Sequence, residues 1–141
     1  MSRQNKDMPK PSAVSEIHNI KSIKVSVGFA DFTDGGGAAG TFDLTTTIPA
    51  GAVFLKSTVR VPAGFAGDTS AVMTIGDGTD VDRYNTSTIN VFATAATGVA
   101  AGIPSGERDH FTAATVRLTV TSGADWGSVT AGRVVVTLYY I

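Results

Sequence analysis

The sequence contains no cysteine, which excludes disulfides and thiolate metal sites and leaves the redox compartment open. Histidine is confined to His18 and His110, and glutamate to Glu16 and Glu107. Charged residues make up 16% and the net charge is -1, so there is no whole-molecule basic field for nucleic acid or an anionic membrane. No apolar run approaches the roughly 18 residues of a membrane helix. The first residues lack the apolar stretch of a secretory signal, so neither a membrane partner nor export by that route is expected. No segment keeps a helical apolar period over three turns, and no internal repeat suggests a propeller or solenoid.

Short alternating segments separated by turn residues are what the chain does contain. Hydrophobic residues reach 43%, and 16 glycines supply turns. The central stretch runs from Ile48 to Tyr84. Pro49-Ala50-Gly51 makes a turn, and Val53, Leu55, Val59 and Val61 then alternate with Phe54, Lys56, Thr58 and Arg60. The first set is expected to face a core and most of the second to face water. Pro62 to Gly67 breaks the pattern, Ala71, Met73 and Ile75 resume it, and Gly76-Asp77-Gly78 closes it with a turn.

Further strands are expected over about Ser22–Phe29, Gly40–Ile48 (Phe42, Leu44, Thr46 and Ile48 inward), Thr88–Ala93, Ala114–Thr121 and Arg133–Ile141. Thr94 to Gly106, rich in Ala and Gly, reads as a loop. The expected fold is all-β: a single antiparallel β-sandwich over residues 21–141, jelly-roll or Greek-key in wiring, with about seven or eight strands. Residues 1–20 form an extended or disordered arm, barred from an ordinary helix by Pro9 and Pro11. Between Met1 and Lys24 five cations face Asp7 and Glu16, a net of +3, which leaves -4 for the remainder. A mildly basic arm on an acidic body suits either a frayed terminus or a segment that orders on a neighbour.

The last strand is apolar on both faces. Val134, Val136, Leu138 and Tyr140 form one; Val135, Thr137, Tyr139 and Ile141 form the other. Such a strand is either central and doubly covered or at a subunit interface, which makes Val135, Tyr139 and Ile141 candidate interface residues.

Groups able to do chemistry are sparse. Asp77, Asp80 and Asp82 on a glycine turn offer oxygen ligands for a hard cation, but their spacing is not that of an EF-hand, and a turn with Arg83 as counter-charge explains them equally. His110 neighbours Ser105, Glu107 and Asp109, but adjacent residues of an extended chain point apart and no nucleophile elbow is present, so His110 reads as a polar loop residue. Glu16, Glu107 and turn-type aspartates make a poor glycosidase pair. Gly35-Gly36-Gly37 lacks the lysine and helix of a phosphate loop. Arg60, Arg83, Arg108, Arg117 and Arg133 are scattered singly, so a basic stripe is not expected. Phe65 and Trp126, in glycine-flanked loops, are either plugs over the sandwich end or exposed groups for a sugar or partner. No enzyme activity and no cofactor are expected.

Three pieces taken together carry a resemblance: Ile48-Pro49-Ala50-Gly51-Ala52 before a strand, Ile75-Gly76-Asp77-Gly78-Thr79-Asp80 with Asp82-Arg83-Tyr84 after one, and Gly132-Arg133-Val134-Val135-Val136-Thr137-Leu138-Tyr139-Tyr140 at the end. Residues 48 to 141 are similar to small all-β structural proteins of tailed bacteriophages, in particular capsid decoration (cement) and head-fibre proteins. The resemblance implies a virion component, often a homotrimer, that clamps the major capsid protein from outside. The arm lies beyond the resemblance, but Arg3, Lys6 and Lys10 suit a segment reaching to the shell. A tail-fibre or whisker module binding a receptor or carbohydrate is the alternative, and it requires Phe65 or Trp126 exposed in a groove.

Overall fold

A computed structural model describes residues 19–86, 88–92, 99–102, 109–110 and 112–141, with 99–102 described as backbone. The described residues form nine strands: β1 (Lys21–Gly28), β2 (Thr33–Asp34), β3 (Ala39–Ile48), β4 (Phe54–Ala66), β5 (Ala71–Gly76), β6 (Ile89–Asn90), β7 (Val99–Gly102), β8 (Ala114–Ser122) and β9 (Ala131–Tyr140). They make two sheets, ordered β1-β9-β4-β7 and β2-β3-β8-β5-β6. Every ladder is antiparallel. With the two-residue β2 set aside, the pairings nest: β1 with β9, β3 with β8, β4 with β7, β5 with β6. That is one long antiparallel ribbon rolled into two layers, the jelly-roll form of an all-β sandwich.

Alternation explains most of the core. Ile23 and Val27 of β1, Val59 and Val61 of β4, and Val134, Val136 and Leu138 of β9 point inward from one sheet. Leu44 of β3, Ala71, Met73 and Ile75 of β5, and Val116, Leu118 and Val120 of β8 meet them from the other. Sandwich faces about 10 Å apart interdigitate such residues, and dense packing makes each loss costly.

Three expectations about strand phase are corrected. Phe54, not Val53 or Leu55, is fully buried, because Phe54 pairs with Tyr140 while Lys56 pairs with Tyr139: Leu55 is an extra residue that flips the phase of β4. Thr46 is exposed instead of inward, because the register with β8 shifts between Asp43 and Thr47. β4 does not end at Val61 but runs through Pro62 to Ala66, with further shifts at Arg60/Ala63 and Ala63/Ala66. A bulge is where a sheet tolerates proline, which has no N–H to donate.

Two expected segments also change length. The strand expected over Thr88–Ala93 shortens to Ile89–Asn90, with Val91 buried just beyond it and Ala93 outside the described residues. The Ala/Gly stretch read as a loop contains β7, paired to β4.

The continuation of β4 delivers Phe65 to one end of the sandwich, where it is fully buried. Phe32 sits edge-on to it at 5.9 Å and also contacts Trp126 at 5.4 Å, measured between ring centres. Gly132 of β9 has φ +143° and lies against the Phe65 ring, so a side chain there meets both backbone strain and the ring carbons. Phe65 and Trp126 therefore plug the end of the sandwich.

Phe65→Ala should lower stability by about 3–5 kcal/mol, as expected for emptying a packed aromatic site. Thr46→Ala should stay within about 0.5 kcal/mol. Chemical denaturation of both variants checks the revised phase; a large effect at Thr46 contradicts it.

Candidate functional site

At the other end of the sandwich the turn after β5 carries the Asp77–Asp82 cluster. Its geometry is set by Asp77, which is buried. One Asp77 oxygen accepts the N–H groups of Thr79 (2.9 Å) and Asp80 (2.8 Å), and the other accepts Arg83 Nη1 at 3.0 Å. Burial pushes the Asp77 carboxyl up, but these donors together outweigh it and hold its pKa below the usual 3.8. Asp80 and Asp82 are exposed. The Asp82 carboxyl is pushed up, first by its hydrogen bond with Asp80, then by desolvation and by the Asp80 charge. The three carboxylates therefore diverge into different roles. Among the described residues no group of three His, Asp or Glu side chains is placed to hold a metal ion.

His110 lies in a loop, outside any strand, as the sequence leads one to expect, but its ring is not at the surface. It is buried, its ring stacks on Tyr84 at 5.6 Å, and its Nε2 lies 3.4 Å from the Tyr84 hydroxyl. Its backbone N–H donates to Ala52 at 2.9 Å, which ties the segment to the start of β4. Tyr84 packs on Phe54 at 4.7 Å, and Ser57 donates to its carbonyl at 2.6 Å. Burial pushes the Tyr84 phenol up to about 12. Asp109 is exposed while His110 is buried, so the two point apart as extended neighbours do. An open polar cleft of about 430 Å³ lies over this end, lined by Asp77, Thr79, Arg83, Asp109, His110 and Thr112. Its Asp77–Arg83 pair is self-neutralising, and His110 is turned into the core stack. Ser105, Glu16 and Glu107, the other members of the imagined catalytic sets, lie outside the described residues.

The second candidate surface is the outer face of the β1-β9-β4-β7 sheet. β9 is hydrogen-bonded on both sides there, and its two apolar faces separate into an inner and an outer one. The inner face is core. On the outer face Val135 is 9% exposed, Tyr139 is half-buried beneath Lys56 (Nζ 5.2 Å from the ring centre), and Ile141 is 40% exposed. Register places Lys24 of β1 beside Thr137, Ser26 beside Val135, and Lys56 and Arg60 of β4 beside Tyr139 and Val135. Arg133 donates to Ser26 Oγ at 3.0 Å. Lys24, Lys56, Arg60 and Arg133 are all exposed, and among the described residues none of them forms an ion pair. A basic face thus exists where none was expected. Its members are far apart in sequence, and only the nested pairing gathers them. The five-stranded sheet differs: Asp43 and Arg117 form a bidentate pair at 2.6 and 2.9 Å that holds the Asp43 carboxyl below its usual range.

The other expected site residues fall less favourably. Arg3, Lys6, Lys10 and His18 lie outside the described residues. Phe65 and Trp126 are buried and offer no exposed aromatic to a ligand.

No family model matches the chain, and no curated protein matches it. Among solved structures, the chain is similar to one in the cyanophage Pam1 capsid asymmetric unit. The TM-score is 0.53 at 22% identity, over 86% of this chain and 84% of that one. A chain in the acidic stable capsid structure of Helicobacter pylori bacteriophage KHP30 aligns at TM-score 0.45 and 15% identity, over 86% of this chain and 91% of that one. At these identities the first likeness concerns the fold.

Asp77→Asn should destabilise the protein by about 1–3 kcal/mol at neutral pH through lost charge-assisted bonds. A depressed folded pKa means that the wild-type advantage is present above pH 3.8 and fades as pH falls through the folded value. Denaturation midpoints of both proteins measured from neutral to acid pH should therefore converge; a constant gap removes the Asp77 charge from the explanation.

Proposed function

We propose that this protein is a structural component of a tailed-bacteriophage virion, a decoration (cement) protein that binds the major capsid protein on the outside of the shell. The observation that carries the reading is the sandwich shared, over 86% of the chain, with a chain of the cyanophage Pam1 capsid asymmetric unit. Double-sheet jelly rolls recur in viral capsid domains, and a fold alone does not fix a function. The character of the surfaces supports the same direction. The polar cleft holds a neutralised ion pair and a histidine stacked into the core, so the reading is non-enzymatic and needs no cofactor.

In this reading the protein works as an oligomer, a homotrimer about a threefold axis, assembled in the host cytoplasm. Val135, Tyr139 and Ile141 on the outer face of β9 make the subunit contact. The arm, through Arg3, Lys6 and Lys10, reaches the shell, and many copies on one particle turn a modest attachment into a firm one. Nothing among the described residues favours the tail-fibre or carbohydrate-binding alternative, because Phe65 and Trp126 are both buried.

Co-sedimentation with capsid shells of the virus that encodes the protein tests the reading. Wild type should pellet with shells, and deletion of residues 1–20 should leave a folded oligomer that pellets at least tenfold less well. Failure of the wild type to bind shells overturns the proposal, and full binding by the truncated protein removes the arm from it. Tyr139→Asp should give a soluble single protomer in sedimentation velocity; an unchanged oligomer takes that strand face out of the contact.

A further inference from the structure

The outer face of β9 has a chemistry that selects its occupant. A shallow depression of about 270 Å³ lies there, lined by Lys24, Thr58, Arg60, Val135 and Thr137. Its floor is apolar and its rim is cationic. The two rim cations stand on β1 and β4 with β9 between them, two strand spacings across and two residues along, or about 12 Å apart. Neither cation forms an ion pair among the described residues. An identical face docked on this one sets like charges opposite each other, which costs several kcal/mol. The occupant therefore brings carboxylates around an apolar tip.

The same chain carries such a tip. Val81 is 56% exposed, one of three large apolar side chains exposed among the described residues, and Asp80 and Asp82 flank it. The turn that presents it is stiff. Asp77 ties its backbone through Thr79 and Asp80, and Asp77 N–H donates to the Asp80 carbonyl at 2.9 Å. Gly76 lies directly under the Asp80 carbonyl, where a side chain has no room. A preorganised turn loses little entropy on docking. It also belongs to the other sheet, so it is presented away from the depression of its own copy.

We propose that the Asp80-Val81-Asp82 turn of one copy seats on the Lys24/Arg60/Val135 depression of the next, making the contact between copies heterologous. Val81 covers Val135 and Thr137, and the adjoining Asp80 and Asp82 carboxylates draw the long Lys24 and Arg60 side chains toward them. A heterologous contact closes as a ring or continues as a filament, whereas a face-to-face contact stops at a pair. This deepens the reading of β9 as the subunit contact and rests on that part of it alone. It does not depend on the shell, and an isolated nucleic acid is disfavoured by the apolar floor and the acidic body.

Charge reversal tests it in solution with the full chain. Lys24→Glu/Arg60→Glu destroys the depression but keeps the turn. Asp80→Lys/Asp82→Lys destroys the turn but keeps the depression. Each alone should run as a single protomer by light scattering, while wild type runs as an oligomer. Mixed one to one, they should associate, because the native turn meets the native depression and the reversed turn meets the reversed depression, binding at least tenfold tighter than either variant binds itself. All four positions are exposed, and circular dichroism confirms that each variant is folded. A wild type that remains a single protomer, variants that keep the wild-type mass, or a mixture that does not pair each overturns the contact. So does a single-protomer wild type whose single-stranded DNA binding is lost on Lys24→Glu/Arg60→Glu, since the face then serves a polyanion. Shell binding by a wild type that fails the pairing test leaves the proposed function standing without this contact.

Discussion

The structure depends on β9 being hydrogen-bonded on both sides. β1 pairs with it along one edge and β4 along the other, and its Val134, Val136 and Leu138 are fully buried beneath the opposite sheet. The β1–β9 ladder joins residues more than a hundred positions apart, as the Arg133–Ser26 bond shows. Bringing such segments together costs loop-closure entropy before any contact rewards it. In a nested ribbon the closures are nested too: β5–β6 is the most local of the four pairs, and β1–β9 encloses all the others.

Each end is closed by aromatics and fixed by a carboxylate. Phe32, Phe65 and Trp126 fill one end, and Asp68 ties the loops beneath them by accepting the N–H groups of Thr69, Ala124 and Asp125 at 2.7, 2.9 and 3.0 Å. Those three bonds pull the Asp68 carboxyl far below its ordinary value. Phe54, Tyr84 and His110 fill the other end, with Asp77 organising the adjoining turn. Short polar side chains that satisfy loop N–H groups allow irregular backbone to cover apolar ends without leaving donors unpaired. The consequence is a body whose surface features hold fixed positions.

Much of this fold is legible in the sequence because alternation is a direct record of a half-buried strand. β1, β5, β8 and β9 follow it closely. It fails where a single residue changes the count. Leu55 looks like a core residue and is instead the bulge that hands its place to Phe54. Pro62 looks like a terminator, but two further register shifts, at Arg60/Ala63 and Ala63/Ala66, let β4 carry Phe65 to the far end. β7 has no side-chain pattern to read, since Val-Ala-Ala-Gly offers no contrast between faces. The burial of His110 in its loop is likewise not legible, because burying a polar ring depends on a partner, here Tyr84, that lies 26 positions away. The interface candidates Val135, Tyr139 and Ile141 were visible as a second apolar face, but the cations around them were not. Lys24, Lys56, Arg60 and Arg133 are isolated in the chain and become neighbours only through the β1-β9-β4 order.

That order gives the surface its polarity. Exposed cations collect on the outside of one sheet, while exposed carboxylates at Asp80 and Asp82 lie in a turn that leaves the other. A whole-molecule charge of -1 hides this separation. Electrostatic complementarity mainly sets orientation and excludes wrong partners, and apolar cover supplies the affinity. A face with an apolar floor and like-charged rim therefore rejects itself and accepts a surface of opposite sign. Were such bodies to associate, rejection of the twofold arrangement would favour rings or chains over a closed pair, because a heterologous contact joins different sides of neighbouring copies.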